Sequence, residues 1–493
     1  MKLKVTSISR AAGCSWILIM AIGFSFCACQ SAGLSSRKDN STGARGQALG
    51  FDISSIPNFC SHEHWGSIKA IGGGYLPEFN GFYCDVYAGA APTPLNSTSI
   101  WDLFLDPYFG GMIKESGTDY DASARSHGYD TQKLWWKADP KAALSDFKNT
   151  VSTQLMTGTF QCLMRGIEKL YGVNLSSFEL VEWQKADSLI QVNYSGIFTW
   201  YQKAMGMANF SELIRPVQPE FYFMEQSDEG KEEELSFTHT LLRIDPFLDF
   251  WNVENKRRDN LAKVAGIDPV DAVSWRAFIK FYVELADNNQ AVGIKQLQAY
   301  HRSLDYRLRR DSEVKFRGNL NAAEITIFQD WVMHEFCRLA NEKGWVHQIH
   351  VGTDNLQESS PLPLEALGDR YPDMKIVMLH CWPFFKEAAH LAKYKPNFYI
   401  DNCWIPILSP AFYKQVLDTY LNYVPYNKIM LAHDATSIEM AVGSSLFTRE
   451  ILEQKLLEQK SMLNLTDEQL RNVAMDMLQN NAVRLYGIGM EAK

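Results

Sequence analysis

From about residue 51 to its end, the chain alternates short apolar, β-branched runs with longer stretches of helical period. This pattern calls for parallel strands joined by crossover helices. The runs are Ile56 to Ser61, Met207 to Arg215, His239 to Ile244, Val292 to Ala299, Val346 to Val351, Lys375 to His380, Asn397 to Asp401 and Lys428 to Ala432. They predict an α/β fold, a closed (β/α)8 barrel, over residues 51–493. The stretch between the first and second runs is far longer than a crossover needs, so a helical insertion is expected at about 90–205. It includes Thr157 to Tyr171 and Trp183 to Met205, placed to roof the barrel mouth. The charged, helix-periodic end from Thr448 stops at Gly487 and is expected to dock on the barrel.

Residues 1–28 read as an export signal: Lys2, Lys4 and Arg10 precede the apolar stretch Trp16 to Phe26, which is too short to span a bilayer. Phe26-Cys27-Ala28-Cys29 resembles a bacterial lipobox, which makes Cys29 the expected lipidation site and new N-terminus. The polar, Ser/Gly-rich segment 29–50 then serves as a flexible tether. The expected location is outside the cytoplasm, anchored by lipid to a bacterial membrane on its periplasmic or surface face. A net charge of −9 without a long basic run leaves no electrostatic footprint for nucleic acid. Cys60, Cys84, Cys162, Cys337, Cys381 and Cys403 are scattered and lack CxxC pairing, so buried free thiols are expected.

Chemistry concentrates at the strand ends. His62-Glu63-His64 closes the first run, and its two-residue spacing turns both imidazoles to one face. His350, His380 and Asp434 end the fifth, sixth and eighth runs. In a parallel barrel these ends meet on one rim, so residues distant in sequence become neighbours. An imidazole and carboxylate set of this kind suits a divalent ion, zinc first, with manganese or another divalent ion as alternatives. His433 alternates away from Asp434 and is expected to be structural, as are His347, His334, His390 and His127.

The order HxH, fifth-strand His, sixth-strand His and eighth-strand Asp resembles that of the amidohydrolase superfamily, most closely its nodulin-like branch. Further echoes are Leu242-Arg243-Ile244-Asp245, Gly293-Ile294-Lys295, Gln348-Ile349-His350, Leu379-His380-Cys381-Trp382-Pro383-Phe384, Tyr399-Ile400-Asp401 and Asn481-Ala482-Val483-Arg484-Leu485-Tyr486. The resemblance implies a TIM-barrel, metal-dependent hydrolase. His62, His64, His350 and Asp434 would hold the metal, and His380 would be a ligand or act on the substrate. Lys295 stands near the position of a carbamylated bridging lysine in binuclear relatives, with a salt bridge inside the barrel as the other reading. Gln348 shares the inward face with His350 and is a candidate to bind substrate or orient a ligand. Arg243, Asp245, Tyr300 and Arg302 are candidates for recognising a carboxylate, or for ion pairs that stabilise the barrel.

The implied reaction is attack of a metal-activated water on an amide, lactone or ester-type small molecule, with Asp434 as base and then acid and His380 polarising the carbonyl. Metal-dependent decarboxylation and uronate isomerisation use the same scaffold and remain alternatives. A metal-binding surface lipoprotein without turnover is a third, and a homo-oligomer is compatible with all of them.

Overall fold

The protein is described here by a computed structural model, which covers residues 48–65, 75–76, 81–82, 99–104, 107–223, 233, 235–353 and 355–489. The expected signal, lipidation site Cys29 and tether up to residue 47 lie outside the described residues, as do Cys84 and residues 90–98 of the expected insertion. Leu49, placed by sequence at the end of the tether, is instead buried in the main core with Ile53 and Ile56.

Eight parallel strands form one sheet in chain order. They are β1 (Asn58–Cys60), β2 (Phe210–Val217), β3 (Thr238–Arg243), β4 (Gly293–Gln296), β5 (Val346–Val351), β6 (Lys375–His380), β7 (Phe398–Asp401) and β8 (Ile429–Met430). Each of the eight expected runs therefore overlaps a strand, with β2 running on to Val217 and β3 starting at Thr238. Every residue of β4 and β5 is buried, as it must be when both faces of a parallel sheet are covered. The sheet curls until its edges meet at the C-terminal rim. There Asp434 N–H donates to His62 O at 3.0 Å and His64 N–H to Ala435 O at 2.9 Å. Asn58 Nδ2 also donates to Leu431 O at 3.0 Å, below this rim.

Between β1 and β2 the described chain is helical, from Ile100–Leu103 onward, and includes α1 (Gly158–Tyr171), α2 (Leu180–Tyr194) and α3 (Ile197–Ala208). These helices enclose a core of their own, in which Phe147 meets Trp101 and Trp183 edge to face and stacks on Phe104. A long helix after β8, α4 (Ile438–Leu463), joins this core to the barrel. Residues 438–445 of α4 are buried on all sides. Two glycines allow α1 and α4 to touch backbone to backbone. A Cβ on Gly166 would lie 1.7 Å from Glu439 O, and one on Gly443 would lie 1.7 Å from Cys162 O. Glu439, buried between the two units of packing, accepts hydrogen bonds from Tyr171 Oη at 2.5 Å and Tyr194 Oη at 2.8 Å. The C-terminal region is three helical pieces rather than one. The last, Asn481–Tyr486, ends at Gly487 in the left-handed conformation that the sequence suggested.

Candidate metal centre

Parallel strands deliver their C-terminal ends to one rim, and the backbone turns sharply there. His380, Cys381, Trp404, Thr353 and Asp434 all have positive φ, between 54° and 70°. Non-glycine residues adopt this conformation only when surrounding structure imposes it, and functional sites are where such imposition concentrates.

His62, His64 and Asp434 present donor atoms to one another, and so do His380, Cys403 and Asp434. Asp434 Oδ1 lies 3.4 Å from His62 Nε2 and 3.1 Å from His64 Nε2, while Oδ2 lies 3.4 Å from His380 Nε2. Second partners fix two tautomers. Gln348 Nε2 donates to Ser61 O and Tyr486 Oη, so its Oε1 is left to accept from His62 Nδ1 at 2.6 Å. His380 Nδ1 donates to Cys403 O at 3.0 Å. In each ring the proton sits on Nδ1 and the Nε2 lone pair faces the carboxylate. Burial, with Lys295 adding to it, lowers the pKa of His62 to about 3, and burial lowers that of His380 to about 4, so both rings are neutral at pH 7. Asp434, 2% exposed, sits among these rings, and its burial opposes the charge it carries there.

Lone pairs aimed at a carboxylate repel it unless a cation stands between them. Among the described residues neither His62 Nε2 nor His380 Nε2 has a hydrogen-bond partner. The gaps of 3.1–3.4 Å are wide for charge-assisted hydrogen bonds. Two ligands at about 2.0–2.1 Å from one tetrahedral zinc ion would stand about 3.3 Å apart. The donor set therefore fits a divalent cation.

The sequence candidates divide accordingly. His62, His64, His380 and Asp434 come together. His350 does not join their donor atoms: its Nε2 is 2.8 Å from Thr353 Oγ1, and its ring packs against His380 and Tyr300 at 4.4 and 4.3 Å. The sequence reading makes His350 a ligand and His380 either a ligand or a group acting on the substrate; here it is His380 Nε2, not His350 Nε2, that faces Asp434. Gln348 orients His62, and its bonds to Ser61, Tyr486 and His62 replace the substrate contact also considered for it. All five N–H groups of Arg302 are engaged, by Ser303 O, Thr326 O, Gln329, Asp305 O and Asp330. Of the two roles considered for it, carboxylate recognition and an ion pair, the contact with Asp330 at 2.6 Å is of the second kind. Arg243 pairs with Asp245 Oδ2 at 3.0 Å. Lys295 Nζ has no hydrogen-bond partner and makes no salt bridge among the described residues, so the ion-pair reading does not hold for it. His433 donates from Nε2 to Asn58 Oδ1 at 2.8 Å and stacks on Phe210, a structural position as expected. The cysteines at 60, 162, 337, 381 and 403 are buried free thiols.

Two residues of the site carried no sequence signal. Glu63, 0% exposed, accepts from His433 N at 3.1 Å and Ala435 N at 3.0 Å, clasping the backbone on both sides of Asp434. Tyr108 lies in a π-helical turn, Pro107–Gly111, of the inserted helices, and its hydroxyl donates to Asp434 Oδ1 at 3.2 Å. Its ring stacks on Trp404 at 5.1 Å. Turns of this kind are frequent at functional sites. Neither contact is encoded by local spacing, because each joins segments more than 300 positions apart.

Residues 282–488 match a family model described as amidohydrolase. Protein fluG of Emericella nidulans is 25% identical over 240 residues, 43% of this chain and 28% of that protein. The match thus spans little more than a quarter of that relative's length. Among solved structures, uronate isomerase from Thermotoga maritima superposes with a TM-score of 0.65 at 14% identity, over 88% of this chain and 95% of that one. A Lactobacillus casei protein described as a metal-dependent hydrolase superposes with a TM-score of 0.55 at 16% identity, over 88% and 96%. At such identities the likeness is one of fold.

Proposed function

We propose that this chain belongs to the amidohydrolase superfamily and is a metal-dependent hydrolase of an amide, lactone or ester-type small molecule. The observation that carries the reading is the convergence of neutral, oriented imidazole nitrogens on Asp434 with no proton between them. His62, His64, His380 and Asp434 would hold the ion, with zinc as the expected metal. When bound, a divalent ion supplies Lewis acidity towards water and a carbonyl oxygen at neutral pH.

The rest falls to the chain's own groups. Asp434 is the ionised carboxylate closest to the imidazoles and is placed to take a proton from the attacking water and return it to the leaving group. Gln348 and Cys403 O keep His62 and His380 in the tautomer that leaves Nε2 bare. Glu63 holds the Asp434 backbone, and Tyr108 holds Oδ1 from the side of the inserted helices. Trp404 and Tyr108 form an aromatic wall beside His380, which limits water around the reacting groups.

Metal analysis of the purified protein, followed by a screen of amides, lactones, esters, uronates and aromatic carboxylic acids, tests this reading. Metal-dependent cleavage of a member of the first three classes is the expected result. Turnover of uronates or carbon dioxide release from aromatic acids alone would replace hydrolysis with isomerisation or decarboxylation. A metal-loaded protein inactive on every class would favour a binding role.

A further inference from the structure

Two cations beside the candidate metal centre lack a full complement of partners. Arg243 on β3 and Lys295 on β4 are register partners, so both side chains leave the sheet on the same face. Lys295 is 1% exposed and its Nζ meets no acceptor among the described residues. Arg243 gives Nε and Nη2 to Asp245 Oδ2, while its buried Nη1 has no partner. Asp245 is itself committed, since its Oδ1 accepts from Leu297 N at 2.6 Å. Lys295 acts electrostatically on His62, His350, His380 and Asp434, which places it in the same interior as the metal donors.

Buried ammonium groups without a partner are rare because desolvation is not repaid. Burial lowers the pKa of Lys295 to about 8, a shift that an anionic partner would oppose.

We propose that Lys295 Nζ and Arg243 Nη1 form a subsite for the carboxylate of an organic-acid substrate, which holds the scissile group against His62, His64, His380 and Asp434. The proposal rests on the metal-dependent reading above and names the substrate class it serves. Two donors match the two oxygens of one carboxylate, whereas a phosphate would present at least three oxygens to them.

Calorimetric titration of metal-free and zinc-loaded protein with succinate, uncharged succinamide and inorganic phosphate tests the subsite. Succinate should bind the metal-free wild type, and Lys295→Met and Arg243→Met should each weaken it roughly tenfold or more, the value of one hydrogen bond to a charged group. Succinamide should not bind. Lys295→Met should also unfold at a higher temperature than wild type without ligand, because a buried charge without a partner is removed. Lys295→Met carries the test if Arg243→Met does not fold. Equal succinate binding by wild type and Lys295→Met, equal binding of succinate and succinamide, or tighter binding of phosphate would each overturn the subsite. Loss of zinc in Lys295→Met with succinate binding unchanged would do the same. Because the metal-free protein carries the succinate measurement, failure of the wild type to take up zinc would sink the metal reading separately.

Discussion

More contacts converge on Asp434 than on any other residue of the site: two imidazoles and a phenol face Oδ1, a third imidazole faces Oδ2, and Glu63 clasps the backbone on either side. Asp434→Asn keeps the size and one carbonyl oxygen but cannot accept a proton. Zinc affinity should fall modestly, because three histidines remain, and turnover should fall by about two to four orders of magnitude. Zinc titration alongside single-turnover rates checks this, and near wild-type turnover by a zinc-loaded variant would remove Asp434 from proton transfer. Glu63→Gln replaces one acceptor with a donor facing a buried N–H. It should cost about 1–3 kcal/mol in urea unfolding and weaken zinc binding, although Glu63 is not a ligand. At this scale the sequence was only partly legible. Alternation along β1 and the position of polar residues at strand ends identified His62, His64, His380 and Asp434. It put His350 in the metal set and left His380 as a ligand or a substrate-acting group; alternation cannot show which of two inward histidines faces Asp434, because that depends on the backbone turn at His380, where φ is 64°.

Among the elements, the strands were the readable part. Strands buried on both faces are rich in apolar residues, so each stands out against the helices as a short run, and the buried polar residues within it mark the site. Helix packing was less accessible, since the fit of α1 on α4 depends on glycines that carry no periodic signal. Here α4 starts four residues after Asp434, so its seating against α1 bears on the site. Gly443→Ala drives a methyl into Cys162 O and should cost about 3 kcal/mol by forcing the helices apart. Thermal unfolding would show the loss, and a variant as stable as wild type would contradict the close approach. The inserted helices reach the site through Tyr108. Tyr108→Phe, which keeps the stack on Trp404, should slow turnover without changing zinc content.

Over the whole molecule, buried neutral histidines make stability depend on pH. Burial lowers His62, His347 and His433 to about 3 and His380 to about 4, against about 6.5 in the unfolded chain. Folded pKa values below the unfolded ones mean that the stability is present above pH 6.5 and is lost as pH falls towards 4. The loss should reach on the order of 2 kcal/mol per histidine at pH 5. Urea unfolding between pH 7.5 and 5 should show a steep decline, and a flat profile would contradict neutral burial. At the N-terminus the proposal remains export and lipid attachment at Cys29, so Cys29→Ala should abolish labelling by a radioactive fatty acid. The central claim is a divalent ion held by His62, His64, His380 and Asp434. X-ray absorption at the metal edge of the purified protein tests it most directly: three imidazole nitrogens and at least one oxygen at about 2.0–2.1 Å are expected. A sulfur neighbour at about 2.3 Å, which would bring Cys403 into the first coordination sphere, or fewer than three imidazoles, would contradict it.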